Sequence, residues 1–281
     1  MINLNGIRLK NRFIVAAGPW SFYWKVWPFL RPEIFGGFTT NTFTIEPREG
    51  NLKFLRVFGQ KIFPKPWSVV RKIPRGWINS SGWRNPGIEW AVKEFYPDLR
   101  KRDTNIIFSI GGFCVEDYLI MIRKLNNLNL AAVELNISCP NVGSEVECID
   151  LLDFFIAAKH ASSHSLIVKV GTSRYFQAAL IAVETGIDAL TAINTIGGFH
   201  AGLENGQGGV GGRRIKYISL DVVAVLKNTF DIPVIASGGI YSFKDCQDFF
   251  KSGADAVSFG SVFMSYPWLP PLIVRKATKG A

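Results

Sequence analysis

Leu166-Ile167-Val168-Lys169-Val170 is a five-residue run, apolar except for one lysine, with Ser165 before it and Gly171 after it. Short, β-branched and apolar at successive positions, it reads as a strand covered on both faces, as strands of parallel sheets are. Seven other runs share that character: Phe13–Ala17, Gly37–Thr42, Asn105–Ile110, Ala132–Asn136, Ala189–Ile193, Pro233–Ala236 and Ala256–Phe259. Helical patterns fall between several of them, at Val115–Asn126, Asp150–Ser162, Phe176–Thr185 and Ser242–Ser252. The last opens on Ser242 with Asp245 three residues on, a start resembling a capping box. Eight strand units alternating with helices predict a closed (β/α)8 TIM barrel. An open doubly wound sheet is the competitor, and the Gly-x-Gly-x-x-Gly expected after its first strand is absent.

A chain of 281 residues, 48% hydrophobic, suits one large α/β domain spanning 1–281. A long insertion, 43–104, separates the second strand from the third and contains Trp67, Trp77, Trp83 and Trp90. Long loops on that face of a barrel are where sites are built, so it is expected to contribute to the substrate site. Met1–Arg12 alternates polar and apolar residues around Asn5-Gly6, which predicts a hairpin rather than a signal peptide. With no apolar run long enough for a bilayer, a cytoplasmic protein is expected. The Pro-rich, then basic tail from Tyr266 is expected to be loosely ordered. The four cysteines form no Cys-x-x-Cys pair and there are only three histidines, so no metal site is expected. The net charge of +10 fits a basic solvated surface, attraction to an anionic ligand, or a nucleic-acid or membrane surface.

Barrel chemistry collects at the C-terminal ends of the strands. The first predicted strand ends in Ala16-Ala17-Gly18, small residues against which a flat group can lie. The last two end in Ser237-Gly238-Gly239 and Gly260-Ser261, whose backbone N–H groups are expected to hold a phosphate. The plainer alternative is two tight turns that need glycine. Gly208 to Gly212 offers close approach of a cofactor edge or a lid hinge. Lys169 is either met inside the barrel by an anion or an electron-rich ligand, or reaches solvent from the strand end. Asn79, Asn136, Asn141 and Asn194 offer donors and acceptors suited to a pyrimidine-like ring, although loop asparagines are common. Cys139, in a polar loop, is the candidate base, with Cys148 second; Cys114 and Cys246 read as buried, inert cysteines.

Asn136-Ile137-Ser138-Cys139-Pro140-Asn141 resembles the catalytic loop of the soluble, cysteine-using dihydroorotate dehydrogenases. Nearly the whole chain shares the resemblance. Ala16-Ala17-Gly18, Glu46 to Asn51, Asn79-Ser80-Ser81-Gly82, Asn85-Pro86-Gly87 and Ser109 to Gly112 follow the family's order. Lys169, Asn194-Thr195, Gly208 to Gly212, Ser237-Gly238-Gly239 and Gly260 continue it. The resemblance implies FMN across the barrel mouth, contacted by Ala17, Gly18, Asn41, Asn136, Lys169, Gly209, Gly211, Gly238, Gly239, Gly260 and Ser261. It places Lys169 at the pyrimidine end of the flavin. It implies a substrate held by Asn79, Asn136, Asn141 and Asn194, with Asn41, Ser81, Gly82, Trp83 and Thr195 around it. Cys139 would then remove a ring proton while hydride passes from the neighbouring carbon to the flavin.

Two departures stand out. Asn41 occupies the position of the family's lysine, and Trp83 replaces a smaller residue. A lost cation and an added indole favour a neutral or more apolar ring over an anionic one. Lys25 is the candidate replacement cation. Oxidation of dihydroorotate to orotate leads; another dihydropyrimidine-like ring, or a flavin-binding partner subunit without catalysis, stays open. The resemblance also implies a homodimer. The basic, aromatic segment 52–77 reads as a solvated loop or as a surface for an electron-transfer partner, a quinone-bearing membrane or RNA. No RNA-binding domain is visible beside it, so no nucleic-acid partner is expected.

Overall fold

Each strand predicted for the barrel forms, up to three residues shorter at some ends. The computed structural model describes residues 1–18, 20–21, 25, 30–57, 60–140 and 150–279, with the backbone alone for 54–57, 60–64 and 279. The barrel strands are β1 (Phe13–Val15), β2 (Gly37–Thr39), β3 (Ile106–Ile110), β4 (Ala132–Asn136), β5 (Leu166–Val170), β6 (Ala189–Ala192), β7 (Val234–Ser237) and β8 (Ala256–Phe259). They close in sequence order, every pair parallel, with β8 against β1. Alternation along each strand sends one set of side chains outward and the other into the barrel. Outward residues such as Phe108, Leu135, Val168 and Phe259 form one core with Tyr118, Phe154, Leu226 and Phe249 from the surrounding helices.

Inside the barrel the layers differ. At the N-terminal end Ile14, Ile107, Ala132, Ile167, Ala189, Ile235 and Ala256 meet Leu4, Ile7 and Leu9. Those three come from the N-terminal hairpin, Ile2–Leu4 paired antiparallel with Ile7–Leu9. Its turn places Asn5 and Gly6 at φ 47° and 94°, the left-handed pair that an Asn-Gly hairpin requires. Ile7 and Leu9 are fully buried, each contributing about 1.5–3 kcal/mol of apolar burial. The layer above is polar: Ser109, Glu134, Lys169, Thr191 and Ser258 are all buried.

Helices form at Val115–Leu125, Leu151–Ala161, Tyr175–Glu184 and Phe243–Lys251, close to their predicted limits. The Ser242 hydroxyl accepts from the Asp245 N–H at 3.1 Å and donates to the Asp245 carboxylate at 2.8 Å. Among the helices the sequence did not announce are Lys216–Thr229 and Leu269–Lys279. The second corrects the expectation of a loose tail: Ile273 and Val274 are buried. Pro270 and Pro271 lie in its first turn, where backbone N–H groups have no helical acceptor to lose.

The insertion between β2 and β3 holds two antiparallel strand pairs and a helical stretch at 88–100. Lys53–Val57 pairs with Gln60–Lys65, and Val70–Ile73 with Gly76–Asn79. Gly76–Asn79 also pairs with Gln207–Gly212, which pairs in turn with Ile196–Phe199. The glycine-rich run 208–212 is thus a strand bonded on both edges, not a hinge.

Candidate functional site

The C-terminal ends of β4, β5 and β6 bring the predicted amides together. Asn136 closes β4, and Asn194 follows β6 with its N–H donating to the Val170 carbonyl of β5 at 2.8 Å. The Asn194 amide donates to Asn136 Oδ1 at 3.1 Å and to Ser138 Oγ at 3.3 Å. Its own Oδ1 accepts from the Thr195 N–H at 2.8 Å. The Asn136 amide donates to Thr42 Oγ1 at 3.0 Å, and Thr42 contacts Ser109 Oγ at 3.0 Å. Ser109 Oγ donates to Glu134 Oε1 at 3.0 Å. Because a carboxylate only accepts, the hydroxyl of Thr42 must donate to Ser109, so each bond from Asn194 onward runs toward Glu134. Beneath Asn136, the buried Tyr118 hydroxyl donates to its carbonyl at 3.0 Å; burial raises the phenol, which stays a neutral donor.

Glu134 also accepts from Thr191 Oγ1 at 3.0 Å and forms an ion pair with Lys169 at 3.8 Å. Both partners of that pair are at most 5% exposed. Lys169 therefore does not reach solvent; its anion is a carboxylate of the neighbouring strand. The sequence offered the same signal for Glu134 as for Lys169, a lone charge in an apolar strand. Thr42, Ser109 and Thr191 carried no such signal.

A second group forms where the insertion meets the barrel. The Asn79 amide donates to the Gly209 carbonyl at 3.2 Å, and Ser81 Oγ donates to Asn79 Oδ1 at 3.3 Å. A Cβ on Gly209 would overlap Thr195 Oγ1 and stand 3.2 Å from Pro140, next to Cys139. One on Gly211 would stand 3.5 Å from Thr195 Cγ2 and 3.6 Å from Ser261 Cβ. Asn79, Thr195, Ser261 and the Cys139 loop thus surround one glycine-rich strand. Cys139 itself is half-buried. Asn141 and Cys148 lie outside the described residues. Cys246 is buried, its thiol pushed up to about 12 chiefly by burial, whereas Cys114 is exposed, which corrects its expected burial.

At β7 and β8 the expected anion cradle has the right chemistry. Gly238 and Gly239 hold φ values of 112° and 79°, which favour glycine. Among the described residues, the N–H groups of Gly238, Gly239, Gly260 and Ser261 donate no hydrogen bond within the chain. Tyr241 Oη lies 3.3 Å from Ser261 Oγ. The loop is braced from below: Lys216, at the start of Lys216–Thr229, binds Asp245 at 2.5 Å and Asp248 at 2.7 Å. Burial alone would raise the Asp245 carboxyl, but Lys216 and the Tyr241 and Ser242 donors outweigh it and hold it below its ordinary range.

Three further placements bear on the sequence picture. A Cβ on Gly18 would overlap the indole of Trp20, whose Nε1 donates to the Ala16 carbonyl at 2.6 Å. Gly18, next to Ala17, therefore first makes room for that indole, which also lies 3.4 Å from where a Cβ on Gly260 would stand. Lys25 binds Asp98, on the Tyr96–Arg100 helix that leads into the N-terminal end of β3, far from the strand ends that carry the amides. Trp83 is buried against Gly111 and edge-on to Phe113, and Asn41 donates to the carbonyl of the next residue, Arg84, at 3.2 Å. The Trp83 Nε1 has no partner among the described residues. Its backbone, at φ 53°, follows Gly82 at φ 66°.

Fold and site together define a (β/α)8 barrel that presents an anion cradle on its last two strands and a hydrogen-bonding amide cluster above a buried lysine. The sequence profile of the family "Dihydroorotate dehydrogenase" matches residues 1–279. The chain is 31% identical over 292 residues to the dihydroorotate dehydrogenase B (NAD(+)) catalytic subunit of Bacillus cytotoxicus, covering 98% of this chain and 89% of that one. It is 29% identical over 294 residues to the corresponding subunit of Phocaeicola vulgatus, covering 99% and 91%. The crystal structure of DHODH from Eimeria tenella in complex with ferulenol superposes with a TM-score of 0.77 at 19% identity, over 99% of this chain and 82% of that one. The chain belongs to the dihydroorotate dehydrogenase family, FMN-dependent oxidoreductases of pyrimidine biosynthesis. Among the described residues, no helix is long and apolar enough to cross a membrane, and no group of His, Cys, Asp and Glu could hold a metal ion.

Proposed function

We propose that this chain oxidises dihydroorotate to orotate as one catalytic domain, residues 1–281, with the insertion 43–104 forming one wall of its substrate site. The observation that carries this reading is the convergence of Asn79, Thr195, Ser261 and the Cys139 loop on the strand Gln207–Gly212. It joins an anion cradle, a ring-binding amide cluster and a thiol at one barrel mouth.

The cofactor's phosphate is held by Gly238, Gly239, Gly260 and Ser261, whose N–H groups are uncommitted within the chain. Gly209, too crowded for a larger side chain, and Gly211, in ordinary contact distance of Thr195 and Ser261, let a flat ring approach the backbone. Ala17, Gly18, Asn41 and Asn136 complete that contact, and Lys169 offers an ammonium to electron-rich ring atoms. FMN, when bound, supplies the hydride acceptor. Asn79, Asn136, Asn141 and Asn194, with Ser81, Gly82 and Thr195, orient the substrate. Trp83 stands beside this group, its Nε1 buried without a partner among the described residues, and neither it nor Asn41 brings a charge to the substrate's carboxylate. Cys139 takes the ring proton from the carbon next to the hydride-donating one. In this reading the chain works as a homodimer and passes electrons on to a partner subunit; the designation "catalytic subunit" of its relatives supports the second part alone.

The test is the visible spectrum of the purified protein during anaerobic addition of dihydroorotate. Bleaching of a flavin band is expected. A band that persists with dihydroorotate but bleaches with an uncharged dihydropyrimidine refutes the carboxylate substrate and retains the site.

A further inference from the structure

Lys169 lies below the amide cluster, in a barrel interior that holds one buried carboxylate among the described residues, Glu134. The two make an ion pair at 3.8 Å, which is too long for a hydrogen bond. Glu134 cannot close that gap without losing what holds it. Its Oε1 accepts from Ser109 at 3.0 Å and its Oε2 from Thr191 at 3.0 Å, each on a different strand. Ser109 is held in turn by Thr42, and Thr42 by Asn136. The carboxylate is fixed at a distance that balances the ammonium's charge without taking its N–H donors.

We infer that Glu134 is a positioning residue that sets the reduction potential of the bound flavin by fixing how much of the Lys169 charge, and how many of its donors, remain for the cofactor. This rests on Lys169 facing FMN, as proposed above. Reduced FMN carries more negative charge on its pyrimidine end than oxidised FMN, so a less-compensated ammonium favours the reduced form. The same logic gives two perturbations of opposite sign. Glu134→Gln removes the compensating charge while keeping an acceptor for Ser109, and raises the potential. The double variant S109A/T191V releases the carboxylate from both pins. Glu134 then closes on Lys169, takes its donors, and lowers the potential.

The experiment is a reductive titration of the FMN-loaded full chain with a reference dye, without substrate. Glu134→Gln is expected to shift the equilibrium at least tenfold toward reduced FMN, about 30 mV for a two-electron couple. S109A/T191V is expected to shift it at least threefold the other way. Potentials unchanged in folded, FMN-loaded Glu134→Gln, or moved in the same direction by both variants, overturn the inference. If Glu134→Gln does not fold, the downward shift of S109A/T191V decides the matter alone. Failure of the wild type to hold FMN overturns both this inference and the proposed function. Failure of dihydroorotate to bleach a bound flavin sinks only the substrate, and the titration stands.

Discussion

Replacing Lys169 by methionine would leave the Glu134 carboxylate buried without its counter-charge. Breaking a buried ion pair by removing one partner costs about 3–5 kcal/mol. Glu134 keeps its bonds from Ser109 and Thr191, which places the loss at the lower end, about 3 kcal/mol. At about 2.1 cal/mol/K per residue, 281 residues give an unfolding entropy of about 0.6 kcal/mol/K, so the melting temperature falls by about 5 °C. The measurement is thermal unfolding of the flavin-free protein, so that cofactor binding does not add its own stabilisation. Adding Glu134→Gln to the lysine variant removes the stranded charge and returns the double variant to within about 2 °C of wild type. A Lys169→Met protein melting within 1 °C of wild type, at about the precision of the measurement, would mean that the pair is not desolvated. A double variant less stable than the single one would mean that the two charges are not coupled.

Three further outcomes follow from the same geometry. Cys139→Ala is expected to retain FMN and slow anaerobic flavin reduction by about 10²–10⁴-fold, measured by stopped flow; an unchanged rate removes the cysteine as base. Gly209→Val forces a side chain onto Thr195 Oγ1 and Pro140, an overpacking cost of about 1–3 kcal/mol, and should loosen FMN, read by fluorescence release on dilution. Asp245, held below its ordinary carboxylate range, contributes stability that is fully present above the unfolded value of about 3.9 and is lost as pH falls through the lower folded value. The melting-temperature gap between wild type and Asp245→Asn should therefore stay level from about pH 5 to 8 and narrow below about pH 4; a gap that widens in acid contradicts the assignment.

The barrel was legible because its signal is local. Each strand is a short apolar run, and Leu166–Val170 announces itself without reference to any other part of the chain. The insertion was not legible, because Gly76–Asn79 finds its partner in Gln207–Gly212, about 130 residues away, and no local pattern encodes that pairing. The tail helix was obscured by Pro270-Pro271, which break helices everywhere except in the first turn, where they stand. Lys216–Thr229 has no side-chain cap and follows a glycine-rich strand. At the site, Lys169 and the asparagines were visible as residue types. The chain that joins them was hidden because threonine and serine are unremarkable in sequence, and only the barrel's curvature places Thr42 between Asn136 and Ser109.

The hydrophobic stopper at the base of the barrel, made by Leu4, Ile7 and Leu9 on the inner ends of the strands, gives the vessel a floor. Among the described residues, that leaves the rim at the C-terminal strand ends as the open end of the barrel axis. A pyrimidine arriving, its oxidised product departing and any dissolved electron acceptor would all queue at the same threshold, so a freely diffusing acceptor must wait for the product to leave. A docked protein that draws electrons through the rim would not join that queue. If electrons leave through a docked partner, as proposed above, the floor sends that partner to the same rim as the substrate.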